Sequence, residues 1–150
     1  MEVYRGFAPG KRVLMLGGGL VGAETGLHLA KTGHEVTVVE LLPRVANDSY
    51  GMYREALVKE MAKAGMVLLE NTVCLRIEEG RALVRLPDGT EQYLEADTVL
   101  YALGMKSVPT QELIDAAGDI PVEVIGDAAQ PRKVGFAMRS GYMAGIRVGA

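Results

Sequence analysis

The stretch Val13-Leu14-Met15-Leu16-Gly17-Gly18-Gly19-Leu20-Val21-Gly22-Ala23-Glu24 decides the reading of this chain. Four consecutive apolar residues predict a strand covered on both faces, as in the middle of a parallel sheet. A glycine turn follows, and then a helical period. Gly17, Gly19 and Gly22 satisfy G-x-G-x-x-G, in which the first glycine makes a tight turn, the second admits a pyrophosphate and the third lets helix pack on strand. Taken alone the motif leaves three readings open: a dinucleotide cradle, a turn kept for steric reasons, or the S-adenosylmethionine loop of a methyltransferase.

Working outward, Ala23, Leu27 and Ala30 recur at helical spacing and predict a helix over residues 20–32, stopped at Gly33. Residues 35–40, Glu-Val-Thr-Val-Val-Glu, are rich in β-branched side chains and predict a second parallel strand. Glu40 closes it, 23 residues after Gly17, near the ~20 at which an acidic residue reaches the adenosine ribose. A carboxylate there accepts hydrogen bonds from the 2′ and 3′ hydroxyls and repels a 2′-phosphate. NAD(H) is therefore expected over NADP, with Arg44 as the residue that could offset the repulsion. A solvated strand-end glutamate is the competing account. Residues 18–23 are expected to open the helix with free N–H groups aimed at the pyrophosphate. Glu24, placed in the first turn, either answers the helix dipole or stands near the nicotinamide.

The remaining pattern is α/β: a Rossmann-like parallel sheet with a small antiparallel β-meander inserted. Residues 1–10 read as a lead-in and 41–51 as a loop. Residues 53–64 read as an amphipathic helix on Leu57, Met61 and Ala64, and 66–70 as a third strand. Residues 73–77, 82–86 and 92–94 form the meander, turning at Glu79-Gly80 and Pro87-Asp88-Gly89. A further parallel strand over 97–103 ends at Gly104. A short helix over 110–117, a strand over 121–125 and a helix over 133–148 follow. Gly135, Gly141 and Gly145 in that last helix imply close packing.

With 49% hydrophobic and 23% charged residues in 150, the chain has the composition and size of one globular domain. A formal charge of −3, no Trp, two Phe and six Tyr offer nucleic acid neither a basic field nor a stacking platform. No apolar run reaches the ~18 residues that a membrane span needs. Residues 1–11 do not resemble a signal peptide, so a cytoplasmic location is expected. Cys74, the single cysteine, excludes an internal disulfide, a C-x-x-C pair and an iron–sulfur ligand set, and is expected to serve packing. His28 and His34 lack ligand partners at metal spacing, so no metal is expected. Ser49, Ser107 and Ser140 have no nucleophile-elbow context, and no catalytic residue is assigned.

The order Gly17-Gly18-Gly19-Leu20-Val21-Gly22-Ala23-Glu24, Val36-Thr37-Val38-Val39-Glu40, Ala102-Leu103-Gly104 and Val124-Ile125-Gly126-Asp127-Ala128 resembles the flavoproteins with two dinucleotide-binding domains. The tail Gly126-Asp127-Ala128-Ala129-Gln130-Pro131-Arg132-Lys133, followed by Gly141-Tyr142-Met143-Ala144-Gly145, is similar to the C-terminal part of the old-yellow-enzyme-related reductases. These include 2,4-dienoyl-CoA reductase, enoate reductase and the NADH:flavin oxidoreductases. The resemblance implies that Gly17, Gly19, Gly22 and Glu40 bind NADH, and Gly18, Leu20, Val21 and Glu24 belong to the same candidate cofactor site. It also implies that Gly104 lies near the nicotinamide and that Asp127 holds the ribityl chain of FAD. Asp127 as a helix N-cap is compatible with the same geometry.

Such proteins also carry an earlier glycine-rich FAD half, an FMN barrel and an iron–sulfur cysteine cluster, none of which occurs here. The resemblance thus makes the chain a fragment: a lead-in over 1–10, an NAD(P)-binding domain over 11–109, and a connector with the remnant of an FAD domain over 110–150. It implies binding of NAD(H) without retained FAD, and partners in the rest of the parent flavoprotein. An apolar face left along the final helix would also allow a homodimer. A non-catalytic NADH-sensing module is the second functional class.

Overall fold

The computed structural model describes residues 7–148, so most of the expected lead-in lies outside the described residues. These residues form two units, one ending at Gly104 and one starting at Met105.

The first unit opens with β1 (Arg12–Leu16), α1 (Leu20–Lys31), β2 (Glu35–Val39), α2 (Gly51–Lys63) and β3 (Val67–Leu69). Then β4 (Val73–Glu78), β5 (Arg81–Arg85) and β6 (Glu91–Glu95) pair antiparallel, and β7 (Thr98–Tyr101) returns to the first sheet. That sheet is all parallel, ordered β3-β2-β1-β7. The chain steps outward from β1 to β3 and then crosses back to the other side of β1. Winding therefore reverses beside β1, and a crevice opens at the C-terminal ends of β1 and β7.

The unbroken apolar run of β1 follows from this layering, because alternate side chains serve opposite faces. Val13 and Met15 join Val36, Val38, Ala23, Leu29 and Met61 beneath the helices. Leu14 and Leu16 join Val39, Ala82, Val84 and Ala96 beneath the antiparallel sheet. The buried face of α1 differs from the expected one: Gly22, Ala23, Gly26 and Leu29 are buried, while Leu27 and Ala30 are half-buried. Two glycines let the helix lie low on the sheet, with Leu27 and Ala30 packed against the edge of the same core. At the N-terminal edge, Asp97 accepts hydrogen bonds from Arg12 N and Arg12 Nε at 2.8 and 3.0 Å. The Arg12 guanidinium holds the Asp97 carboxyl below its ordinary range.

The second unit contains α3 (Gln111–Ala117), α4 (Gly126–Ala129) and α5 (Val134–Val148). No strand forms over 121–125 among the described residues, because β-branched residues become a strand only when another strand offers a ladder. Asp127 is not the N-cap: Ile125 holds that place, and the Asp127 carboxylate instead accepts from Arg132 N at 3.3 Å. Ser140 Oγ fastens α4 to α5, accepting from Gly126 N at 2.9 Å and donating to Ala137 O at 2.8 Å. Glu123 and Arg147 pair. Gly135, Gly141 and Gly145 face open space, with no described atom near a Cβ built on them. Among the described residues no helix is long and apolar enough to cross a membrane.

A Cβ on Gly22 would stand 2.0 Å from the Gly17 carbonyl oxygen, whereas the nearest atom to one on Gly26 would be the flexible Met66 methyl at 2.9 Å, with Val36 Cγ1 at 3.4 Å. Gly22→Ala is expected to cost roughly 3 kcal/mol in urea unfolding, as forced overpacking does. Gly26→Ala should stay within about 1 kcal/mol of wild type, because Met66 can yield and alanine favours the helix. Since Asp97 is depressed, its bond to Arg12 stabilises the fold above the ordinary carboxylate pKa and is lost as pH falls through the depressed value. Asp97→Asn should therefore lower the thermal midpoint at neutral pH, and the gap from wild type should close as pH falls below the ordinary carboxylate range and through the depressed Asp97 value.

Candidate functional site

The site stands where β1, β2 and β7 end. Gly17 leaves β1 with φ +93°, a left-handed conformation that glycine adopts without a Cβ penalty. A Cβ there would also lie 2.5 Å from Ala102 O, just past the end of β7. Gly17 N bonds Val39 O at 2.9 Å, and Ala102 N bonds Leu16 O at 2.8 Å, so the turn is held from both neighbouring strands. Gly22 lies directly against the Gly17 carbonyl. Around Gly19 the picture changes, because a Cβ there would meet nothing nearer than Asp48 Oδ1 at 3.8 Å. Internal packing does not demand glycine at that position, whereas close approach of a ligand does. The residues present therefore fit a dinucleotide pyrophosphate.

Glu40 is buried, 8% exposed. Its carboxylate is satisfied by amides: Oε2 accepts from Gly18 N at 2.6 Å and Oε1 from Leu42 N at 2.7 Å. These are charge-assisted bonds of the stronger kind. The competing account of Glu40 as a solvated strand end does not describe this side chain. Beside it opens a cavity of about 450 Å³, lined in part by Val39, Glu40, Thr72, Cys74, Tyr101 and Leu103. That is the size of a small-ligand pocket.

The helix opening is more occupied than the sequence suggests. Gly18 N is held by Glu40, Leu20 N donates to Asp48 Oδ1 at 2.8 Å, and Ala23 N bonds Gly19 O at 2.9 Å. Val21 and Gly22, in the first turn, have no intrahelical carbonyl to bond, and Val21 is exposed. Glu24 begins the second turn, and the first carries no acidic residue, so the dipole account of Glu24 weakens. Its carboxylate accepts from Tyr53 OH at 2.5 Å, which pushes the Tyr53 phenol pKa up. Gly104 is exposed at the end of the first unit, with φ +88° and open space around it. Asp127 belongs to the second unit.

Three residues at the site lie outside the sequence reading. Asp48 reaches Leu20 from the loop before α2. Thr72, 1% exposed, bonds Glu40 O through its own N at 2.9 Å. Glu70 Oε1 accepts from Val45 N at 2.7 Å and so supports the same loop. Asn47-Asp48-Ser49 reads only as a turn, and no local pattern points from there to a helix start 28 residues away. Burial raises the Cys74 thiol pKa, in keeping with a packing role. His34 Nδ1 lies 2.9 Å from Gly10 O. Among the described residues no group of three or more His, Cys, Asp or Glu side chains is placed to hold a metal ion.

A parallel sheet with its switch point beside a glycine turn, a buried acidic strand end and an antiparallel insertion define a Rossmann-like protein of the FAD/NAD(P)-binding type. The chain belongs to the pyridine nucleotide-disulphide oxidoreductase family, whose profile matches residues 2–129. It is 31% identical to an NADH oxidase of Thermoanaerobacter brockii over 138 residues, covering 91% of this chain and 21% of that protein. A solved structure of a 2-naphthoyl-CoA reductase matches with TM-score 0.76 and 29% identity over 93% of this chain and 21% of that one. The 6-hydroxypseudooxynicotine amine oxidase of Pseudomonas geniculata shares the fold, with TM-score 0.85 at 24% identity, over 99% of this chain and 24% of that one. The chain thus spans between a fifth and a quarter of the length of these relatives. The family match leaves the methyltransferase reading without support.

Replacing Glu40 by Gln leaves one oxygen to serve two amides. Glu40→Gln is expected to destabilise the fold by about 1–3 kcal/mol in urea unfolding, the cost of an unsatisfied buried group. Unchanged stability would show that water can replace these bonds.

Proposed function

We propose that this chain is the pyridine-nucleotide-binding part of a larger flavin-dependent oxidoreductase. In this reading it holds NADH in preference to NADPH for hydride transfer to a flavin carried on the rest of that protein. The observation that carries the reading is the Glu40 carboxylate, fixed by Gly18 and Leu42 at the end of β2 and bordering the cavity. Each of its oxygens retains a lone pair for a ribose hydroxyl, while its charge opposes a 2′-phosphate. Gly17 and Gly18 would shape the turn, Gly19 would leave room for the pyrophosphate, and the amides of Leu20, Val21 and Gly22 at the start of α1 would carry it. Glu24 and Gly104 would flank the nicotinamide. The bound nucleotide supplies the hydride; the protein's share is positioning and exclusion of water.

The parent would be an old-yellow-enzyme-related reductase with an FAD half-domain and an FMN barrel. Residues 11–109 are assigned to the nucleotide domain and 110–150 to the connector and the end of the FAD domain, where Asp127 would meet the ribityl chain. Toward FAD the described residues supply little beyond Gly126 and Asp127, so flavin retention depends on the remainder of that protein. Val134, Met138 and Tyr142 on α5 are exposed, as expected of a surface that the FAD half would cover. In its absence the same face would support a homodimer. A sensing module is disfavoured because reporting occupancy requires neither the antiparallel insertion nor the Gly126-Asp127 segment.

Isothermal titration of the 150-residue chain with NADH, NADPH, ADP and S-adenosylmethionine tests the reading. NADH and ADP should bind, NADPH more weakly, and S-adenosylmethionine not at all. In Glu40→Ser the NADH affinity should fall and its ratio to NADPH shrink about tenfold, the value of one lost charge-assisted pair. An unchanged ratio, or binding of S-adenosylmethionine alone, overturns the assignment. Flavin absorbance in the purified chain would contradict its dependence on the parent for FAD.

A further inference from the structure

The cavity beside Glu40 has a wall that the glycine motif does not supply. Five consecutive residues of β4, Val73, Cys74, Leu75, Arg76 and Ile77, line it. A strand that turns one face to a cavity contributes alternate residues. An unbroken run means that the cavity lies along the edge of β4 and meets its main chain. That edge is free: the antiparallel sheet is ordered β4-β5-β6, and among the described residues β4 pairs with β5 alone. Thr72 N bonds Glu40 O at 2.9 Å, so the edge begins beside the Glu40 strand end.

The register shows which main-chain groups face the cavity. Leu86 N bonds Thr90 O at 2.9 Å across the turn from β5 to β6. Hydrogen bonding alternates along an antiparallel strand, so Ala82 and Val84, at even spacing from Leu86, direct their main-chain groups at Leu94 and Gln92 of β6. Their partners on β4, Ile77 and Cys74, therefore take no ladder bonds from β5 and point their own N–H and C=O at the free edge. The register shifts between Cys74 and Arg76, which sets these two outward pairs three positions apart instead of two. Around them the wall is apolar, with Leu16, Val39, Val73, Tyr101 and Leu103. Main-chain donors and acceptors in such a setting call for a ligand that supplies their partners.

We propose that the free edge of β4 selects the base of the bound nucleotide, the main-chain N–H and C=O of Cys74 pairing with the Watson–Crick edge of adenine. The inference rests on reading the chain as a dinucleotide-binding unit with the ribose on Glu40. The base is bonded to that ribose, and the cavity that Glu40 borders, of about 450 Å³, admits a planar heterocycle between apolar walls. Adenine carries an acceptor at N1 beside a donor at N6, and a strand edge carries the complementary N–H beside a C=O. Hypoxanthine inverts that pattern, with a donor at N1 and an acceptor at O6, so both contacts bring like groups together. The antiparallel insertion therefore discriminates by base where Glu40 discriminates by ribose chemistry.

The test is isothermal titration of the 150-residue chain with ADP against inosine diphosphate, and with NADH against its hypoxanthine analogue. Wild type should bind the adenine member of each pair about tenfold tighter or more, the value of two mismatched hydrogen bonds. Glu40→Ser should weaken ADP and inosine diphosphate alike and keep their ratio. Cys74→Pro removes the outward N–H, a change that an edge strand tolerates, and should bring the ratio toward one; if that variant does not fold, the wild-type ratios decide. Near-equal binding of the two bases by wild type, or an unchanged ratio in Cys74→Pro, would overturn the proposal while leaving the dinucleotide reading intact. Failure of the wild-type chain to bind either ADP or NADH would overturn both.

Discussion

The contact between the Gly17 carbonyl and Gly22 sets the distance between β1 and α1, and the rest of the nucleotide unit depends on that distance. With no side chain at Gly22 the helix starts against the backbone of the turn. Gly26, one turn further on, keeps the helix low over Val36 and Val38. Ala23 and Leu29 then reach a core that also takes in Val13, Met15 and Met61. A bulkier residue at Gly22 would lift the helix start, open this layer and misalign the amides that face the crevice. The steric demand and the functional one coincide at this turn, so the motif alone does not separate them. Gly19, where the protein itself makes no such demand, is the position that separates them.

The second organising feature is a set of carboxylates satisfied by backbone amides. Burying a charge is costly unless it is hydrogen-bonded or paired. Glu40 meets that condition through Gly18 and Leu42, and the half-buried Glu70 accepts from Val45 N, with Arg54 nearby at 3.8 Å. These bonds convert a loop into a strap across the glycine turn.

Much of the architecture was legible in the sequence. The apolar run of β1, the β-branched run of β2 and the turn signals Glu79-Gly80 and Pro87-Asp88-Gly89 each mark an element by a local rule, and the structure has those elements. Residues 121–125 satisfied the same local rule and formed no strand, because a strand exists only in company. Hydrophobic spacing in α1 marks Ala23, Leu27 and Ala30, which do lie in or against the core, and leaves out Gly22 and Gly26, which are buried because the helix sits low on the sheet.

For the site, the sequence by itself determined the glycine spacing, the acidic residue at the end of β2 and their order along the chain. Those are enough to place this protein among the Rossmann-like folds, because strand, turn and helix periods are properties of adjacent residues. Only the tertiary structure decided what the charged groups do: Glu40 on Gly18, Glu24 on Tyr53, Asp48 on Leu20. Each of these contacts joins residues more than twenty positions apart. Hydrogen-bond geometry depends on ångström-scale placement, which emerges only after the sheet has ordered its strands and the helices have packed against it.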